Sequence, residues 1–381
     1  MATRHAEIAG AGIAGLTLAS ALVQRGWSVR VHERNDELRE IGAGIFLWEN
    51  ALRVLERIGA FPDIAENAHR VSLLEVWDDE LSLVQRQAFT PGDPVRMYTA
   101  RRQDVYAAIL KRAEAGGVDV LTNSPVSGAT PAGELLLENG QILKADLVVG
   151  ADGGRSTVRE ALGLTKRNER LSGGTVRLLI QRTQEERDDP SRQVVLEYWK
   201  RERRFLYVPV AADEIYLALG TVAADSRGRA VPVDKAAWIE AFPHMAFAIE
   251  RIANQGRWDQ FRDVRVRDWF RGRTALVGDA AHAQPPHLAQ GAALSMCNAL
   301  ALAETLDRNI TIEGALSSWQ ARQKPLTDHT QRWTRMYGFV VASIPSHATK
   351  VRSAFIKRIK SSRLIQRQLN RAARHDPMGS R

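Results

Sequence analysis

The chain has a single cysteine, Cys297, in 381 residues. That excludes an intrachain disulfide and any metal site built from several cysteines, and no metal is expected. No apolar run approaches the roughly 18 residues that a membrane span needs, and no clear processing site follows the first residues. Repeats and low-complexity linkers are absent. These absences point to a cytoplasmic protein with no membrane partner. Net charge is also missing over most of the length. The formal charge of +9 suggests a nucleic-acid partner, but its distribution does not. Between Lys350 and Arg381 ten Lys/Arg stand against one acid, Asp376, so the whole excess lies in the tail and the body is neutral. The tail reads as a basic helix packed on the body through Phe355, Ile359 and Leu364 or Ile365, or else as a partner surface. No nucleic acid is expected.

Apolar residues at 44% and charged residues at 25% are ordinary for a globular chain, and the length allows two domains. The strongest local signal is Gly10-Ala11-Gly12-Ile13-Ala14-Gly15. It follows the apolar run Ala6-Glu7-Ile8-Ala9 and precedes an amphipathic stretch, Leu16–Gln24. A second short strand, Ser28–His32, then ends at Glu33 and Arg34. Gly10 allows a tight turn, Gly12 lets backbone approach a pyrophosphate at the helix N-terminus, and Gly15 allows close helix–strand packing. Glu33 can accept from a ribose 2′-OH, and an acid there disfavours a 2′-phosphate. The ligand is an adenosine dinucleotide, FAD or NAD.

Further elements follow along the chain: helices over about 49–58 and 103–115, a strand at Val118–Leu121, and a hairpin from Gly133 to Leu143 with an Asn139-Gly140 turn. Leu147-Val148-Val149 is a buried strand. Between about 173 and 222 the pattern becomes alternating β, then Thr274–Val277 returns to a buried strand and a long helix begins near Ala289. The expected fold is α/β: a Rossmann-like dinucleotide-binding domain with an inserted antiparallel β-sheet domain and C-terminal helices. Residues 1–72, 97–172 and 262–330 would build the first domain, 73–96 and 173–261 the second, and 331–381 a helical basic tail outside the site. A ligand would lie in the cleft between the two domains.

Two further motifs end buried strands: Gly150-Ala151-Asp152-Gly153, and Gly278-Asp279-Ala280-Ala281-His282 with Pro286 and Ala289-Gln290-Gly291 after it. With all three motifs in this order, the chain resembles the single-component FAD-dependent aromatic hydroxylases, the para-hydroxybenzoate hydroxylase-like flavoproteins, over nearly its whole length. Within them it is most similar to the pyridine-ring oxygenases, the 2-methyl-3-hydroxypyridine-5-carboxylate oxygenase and 6-hydroxynicotinate 3-monooxygenase families. The segments that carry this are Gly42–Trp48, Asn50–Leu55, Arg204–Tyr207, Glu214–Leu217 and Pro286–Gly291. The chain departs from the usual pattern at Ala289 (Gly), Ala293 (Asn), Asn298 (Asp) and Phe46 (Tyr).

The resemblance implies a monooxygenase that uses FAD, NAD(P)H (with NADH slightly favoured) and O2. It would hydroxylate, or open, a hydroxylated aromatic or pyridine carboxylic acid through a flavin C4a-hydroperoxide. No second glycine-rich fingerprint exists, so the nicotinamide cofactor would bind transiently. FAD would be held by Gly10, Gly12, Ala14, Gly15, Glu33, Arg34, Arg102, Asp152, Asp279, Gln290, Gly291 and Ala292. The helix starting at Gly291 would aim its N–H groups at the flavin pyrimidine end. His287 is the candidate base, with a plain loop histidine as the alternative, and His282 reads as structural. If their strands share a cleft face, Arg204 binds a ring carboxylate and Tyr216 a ring heteroatom. Phe46, Trp48 and Pro286 would wall the pocket, or serve as core. A homodimer is compatible with the sequence. Competing readings are a flavin oxidoreductase of another class, or a flavoprotein adaptor using the basic tail. The Trp-x-Trp-x-Ile-Pro segment and site lysine expected of a halogenase are absent.

Overall fold

The structure, a computed structural model, describes residues 3–38, 43–254, 256–342, 358 and 362–379. Gly42, Phe355 and Ile359 lie outside the described residues. A six-stranded sheet is centred on His5–Ala9, flanked by Leu147–Gly150 on one side and Ser28–His32 on the other. Thr274–Leu276 and Asp119–Leu121 extend it in parallel, and Phe270–Arg271 closes one edge antiparallel. Leu147–Gly150 is a continuous buried apolar run, whereas the central strand carries the buried Glu7, held by His5 and His32. The first turn is tight. Gly10 has φ +104°, and a Cβ there would lie 2.5 Å from the Ala151 carbonyl oxygen. A Cβ on Gly15 would lie 2.1 Å from the Gly10 carbonyl oxygen. Both glycines are demanded by close backbone approach.

The second large sheet has seven strands in the order Arg257–Val266, Thr165–Gln181, Glu214–Val222, Arg203–Pro209, Val195–Lys200, Leu73–Trp77, Leu83–Ala88. All neighbours are antiparallel except Val195–Lys200 with Leu73–Trp77. Period-two alternation gives it two unlike faces. Phe205, Tyr207, Leu217 and Leu219 pack with Trp238, Phe242 and Ile249 from the following short helices into one apolar core. The opposite face turns to the cleft. Two strands outrun the boundaries expected from sequence: one begins at Thr165, not near 173, and the other ends at Val266, not 261. Register shifts between Thr165 and Arg167 and between Arg170 and Gly174 break the alternation there, so the pattern hid the extra length.

The helix Gly291–Arg308 crosses the first domain's core, and the long helix Ile312–Ala342 packs beside it. A short helix, Arg363–Leu369, then returns to the body. Leu364 is 72% exposed, whereas Leu369, Ala372 and Ala373 are buried. Of the two expected contacts, Leu364 or Ile365, Leu364 is exposed and Ile365 half-buried, and the buried contact is made by the later residues. Ala373 accepts a hydrogen bond from the Asn50 N–H at 3.2 Å. Among the described residues no helix is long and apolar enough to cross a membrane.

Candidate active site

Pairing sets Arg204 opposite Gly220, Leu206 opposite Ala218 and Val208 opposite Tyr216. Residues two apart share a face, so Arg204 and Tyr216 stand on the same side, and both line a cavity of about 630 Å³. The condition left open by the sequence is met. Tyr216 presses on the strand Gly44–Trp48, where a Cβ on Gly44 would come within 2.4 Å of its ring. Phe46 and Trp48 of that strand wall the cavity. Trp48 Nε1 is buried with no hydrogen-bond partner among the described residues.

Arg204 is held on three of its N–H groups. Nε and Nη2 donate to Glu197 Oε1 at 2.8 and 2.6 Å, and Nη1 donates to His287 Nδ1 at 2.7 Å. A guanidinium has no acceptor, so His287 accepts at Nδ1 and carries its proton on Nε2. Burial, and then the Arg204 charge, push the His287 pKa down to about 3. The ring meets Phe261 edge-on with centroids 5.6 Å apart. Its other edge rests on Gly338 of the long helix, where a Cβ would come within 2.2 Å.

His287 is here a neutral hydrogen-bond partner whose Nδ1 lone pair is taken by Arg204, and Arg204 is ion-paired with Glu197. Sequence reasoning missed Glu197. Its signal was an acid at a cleft-side position of Val195–Lys200, where alternation calls for an apolar or neutral residue. On the same face Asp259 pairs with both Arg177 and Arg257, at 3.1 and 2.7 Å.

The cofactor half of the cavity is lined by Gly12, Ala14, Arg102, Asp279, Gln290, Gly291 and Ala292. Cβ atoms built on Gly12 and Gly291 would meet nothing within 4 Å. Open space therefore lies before the N-termini of both helices, which suits a phosphate and a flavin edge. Gln290 is buried and accepts from Asn50 Nδ2 at 2.9 Å. Ala289, in place of the usual glycine, takes φ +50°, a left-handed backbone that an L-residue adopts at a cost of about 1–2 kcal/mol. Pro286 is exposed and lines the same cavity. Glu33 sits at its strand end, accepting from the Ala11 N–H at 3.2 Å; Arg34 is exposed beside it.

One oxygen of Asp152 accepts from the Thr157 N–H at 2.8 Å, which is capping. Its Oδ1 is buried with no partner among the described residues. His282 is structural: it is buried, its pKa is lowered by burial to about 4, and Nε2 accepts from Asn298 Nδ2 at 3.0 Å. The tail enters the site. Leu369, Asn370 and Ala373 line the cavity, which corrects the expectation that the tail lies outside it.

A family model described as FAD binding domain matches residues 3–332. A 2-heptyl-3-hydroxy-4(1H)-quinolone synthase of Mycobacteroides abscessus is 35% identical over 351 residues, covering 91% of this chain and 92% of that one. A 3-amino-4-hydroxybenzoate 2-monooxygenase of Streptomyces cremeus is 31% identical, covering 86% and 85%. Among solved structures, a tetrameric form of 2-methyl-3-hydroxypyridine-5-carboxylic acid oxygenase is 37% identical with a TM-score of 0.88, covering 99% of this chain and 98% of that one.

Proposed function

The chain belongs to the FAD binding domain family and is an FAD-dependent aromatic monooxygenase, and from that premise we propose that it hydroxylates C3 of an uncharged 2-alkyl-4(1H)-quinolone. FAD, when bound, supplies the redox chemistry, taking reducing equivalents from NAD(P)H and offering one oxygen atom of O2 to a nucleophilic ring carbon. In a 4-quinolone the ring nitrogen feeds electron density through C2 to C3, so that carbon is nucleophilic without loss of a proton. This suits a site whose histidine is not a base.

The observation that carries the reading is charge. Arg204 is paired with the Glu197 carboxylate, while Arg177 and Arg257 share the single carboxylate of Asp259. The Arg204–Glu197 pair offers hydrogen bonds without a net cation to attract an anion at its part of the cavity. The remaining N–H groups of Arg204 are donors for the C4 carbonyl, and Tyr216 borders the ring. Leu74, Val76, Leu206 and Tyr337 line an apolar arm for the alkyl chain. Gly12, Arg102 and the start of Gly291–Arg308 would hold the FAD phosphates and flavin edge, and Asp279 a ribityl hydroxyl.

A hydroxypyridine carboxylate is the second reading, favoured by the similarity to the pyridine-carboxylate oxygenase at 37% identity. We also assign the chain a homo-oligomeric state, supported by the exposed apolar Met336 and Phe339 on one face of the long helix; light scattering tests it. The function is tested with purified holoenzyme and NADH, offering 2-alkyl-4(1H)-quinolones from methyl to nonyl and, separately, hydroxypyridine carboxylates. The expected result is NADH consumption matched by a product one oxygen heavier with the quinolones. Coupled turnover of the carboxylates with inert quinolones would sink the first reading and leave the second.

A further inference from the structure

Glu197 has no part in the chemistry as described, yet it occupies a costly position. Its side chain is 13% exposed and Arg204's is 14%. Both face the cavity from neighbouring strands, Glu197 beside Leu206 and Arg204 beside Trp199. A single oxygen, Oε1, accepts from Arg204 Nε and Nη2 and also from Trp199 Nε1. The carboxylate is thus fixed from two directions. Without it Arg204 would present an uncompensated guanidinium to the ligand, and a guanidinium is shaped to take a carboxylate on two parallel N–H bonds. With it, that edge is already taken, and an incoming carboxylate would meet a like charge.

We propose that Glu197 is the specificity-determining residue for ligand charge: by occupying Arg204 it makes the cavity select a neutral ring substituent over a carboxylate. The same contact directs Arg204 Nη1 to His287 Nδ1, so Glu197 also fixes the histidine tautomer through the arginine. The inference rests on the neutral-ring reading above, and its test separates the two.

Two probes share one ring and nearly one size but differ in charge: 2-methyl-4(1H)-quinolone and 4(1H)-quinolone-2-carboxylate. Their dissociation constants on the FAD-loaded protein are read from the bound flavin's absorbance. The quantity of interest is the ratio, carboxylate over methyl. In the wild type it is expected to exceed unity. Glu197→Gln, which keeps the shape and removes the charge, should lower the ratio by on the order of tenfold to a hundredfold, the value of a freed charged hydrogen bond. Arg204→Gln, which leaves Glu197 charged and unpaired, should raise it. A merely structural Glu197 would weaken both probes alike, leaving the ratio unchanged in Glu197→Gln, and that result overturns the proposal. If Glu197→Gln does not retain flavin, Arg204→Gln decides, and an unchanged or lowered ratio overturns it. A wild-type ratio below unity instead strikes the neutral-ring reading, whatever the variants do.

Discussion

His287 shows how a residue can be found by its sequence context while its protonation state stays hidden. Its place just before the flavin-facing turn was legible, because Pro286 to Gly291 is a compact motif. Its protonation was not, because that depends on two groups far away in the chain, Arg204 and Gly338. The arginine caps Nδ1, and the missing side chain at Gly338 lets the ring sink against the long helix. We therefore expect His287→Leu to lower kcat/KM by roughly 5- to 100-fold, from the about 1–3 kcal/mol cost of leaving an Arg204 N–H unpaired. The kcat profile between pH 6 and 8 should keep its shape, since a group with a pKa of about 3 does not titrate there. A titration limb in that range in the wild type that vanishes in the variant would restore the base.

The elements were readable where their pattern is local. Strand, glycine turn, helix and strand up to Glu33 follow from spacing alone, as does the Asn139-Gly140 hairpin. The return helix Arg363–Leu369 was legible as a helix but not as a wall. The buried residues here, Leu369 at its end and Ala372 and Ala373 just after it, are mostly small and sit among arginines, so charge dominated the reading and the apolar spacing did not stand out. Its contacts are non-local: the Ala373 carbonyl to Asn50, and the Gln368 carbonyl to His329 at 3.2 Å. A chain ending at residue 361 should still bind FAD, whose cradle lies elsewhere, but should yield less hydroxylated product per NADH because one wall of the cavity is gone. Comparing product formed with NADH consumed checks this. Full coupling in the truncated protein would return the tail to the role of a separate surface.

Across the whole molecule, stability has two separate acid limits. His282 is buried and neutral, its pKa pushed down to about 4 by burial. The unfolded chain binds this proton more readily, so stability is full above about pH 6.5 and falls as pH drops toward 4, by on the order of 3 kcal/mol. The carboxylates come later. Burial works to raise the Glu186 pKa, but Arg251, the Thr183 N–H and Tyr207 outweigh it and hold it at about 2. The Arg203 guanidinium holds Asp225 at about 2 against burial. Their contribution is full above about pH 4.5 and is lost as pH falls toward 2. Buried His287, its pKa pushed down to about 3, acts over the same first window, so urea midpoints should decline in two stages, and His282→Gln should make the first shallower and leave the second unchanged. A single decline confined below pH 4.5 would rule out the histidine stage. The two-sheet plan itself was legible because the hydrophobic period changes near residue 173 and back before Thr274. The ion pairs Arg204–Glu197 and Arg177–Asp259 on the cleft face were not, because each joins strands whose register the sequence does not state.

The wall built by Leu369, Asn370 and Ala373 also sets an order of events during synthesis. A polypeptide leaves the ribosome from its first residue onward. The cradle from Gly10 through Ala292 is therefore translated before the segment that carries Leu369, Asn370 and Ala373. The nascent chain reaches the parts that grip its cofactor well before it reaches this side of the chamber in which that cofactor works, so closure of the chamber trails assembly of the cradle.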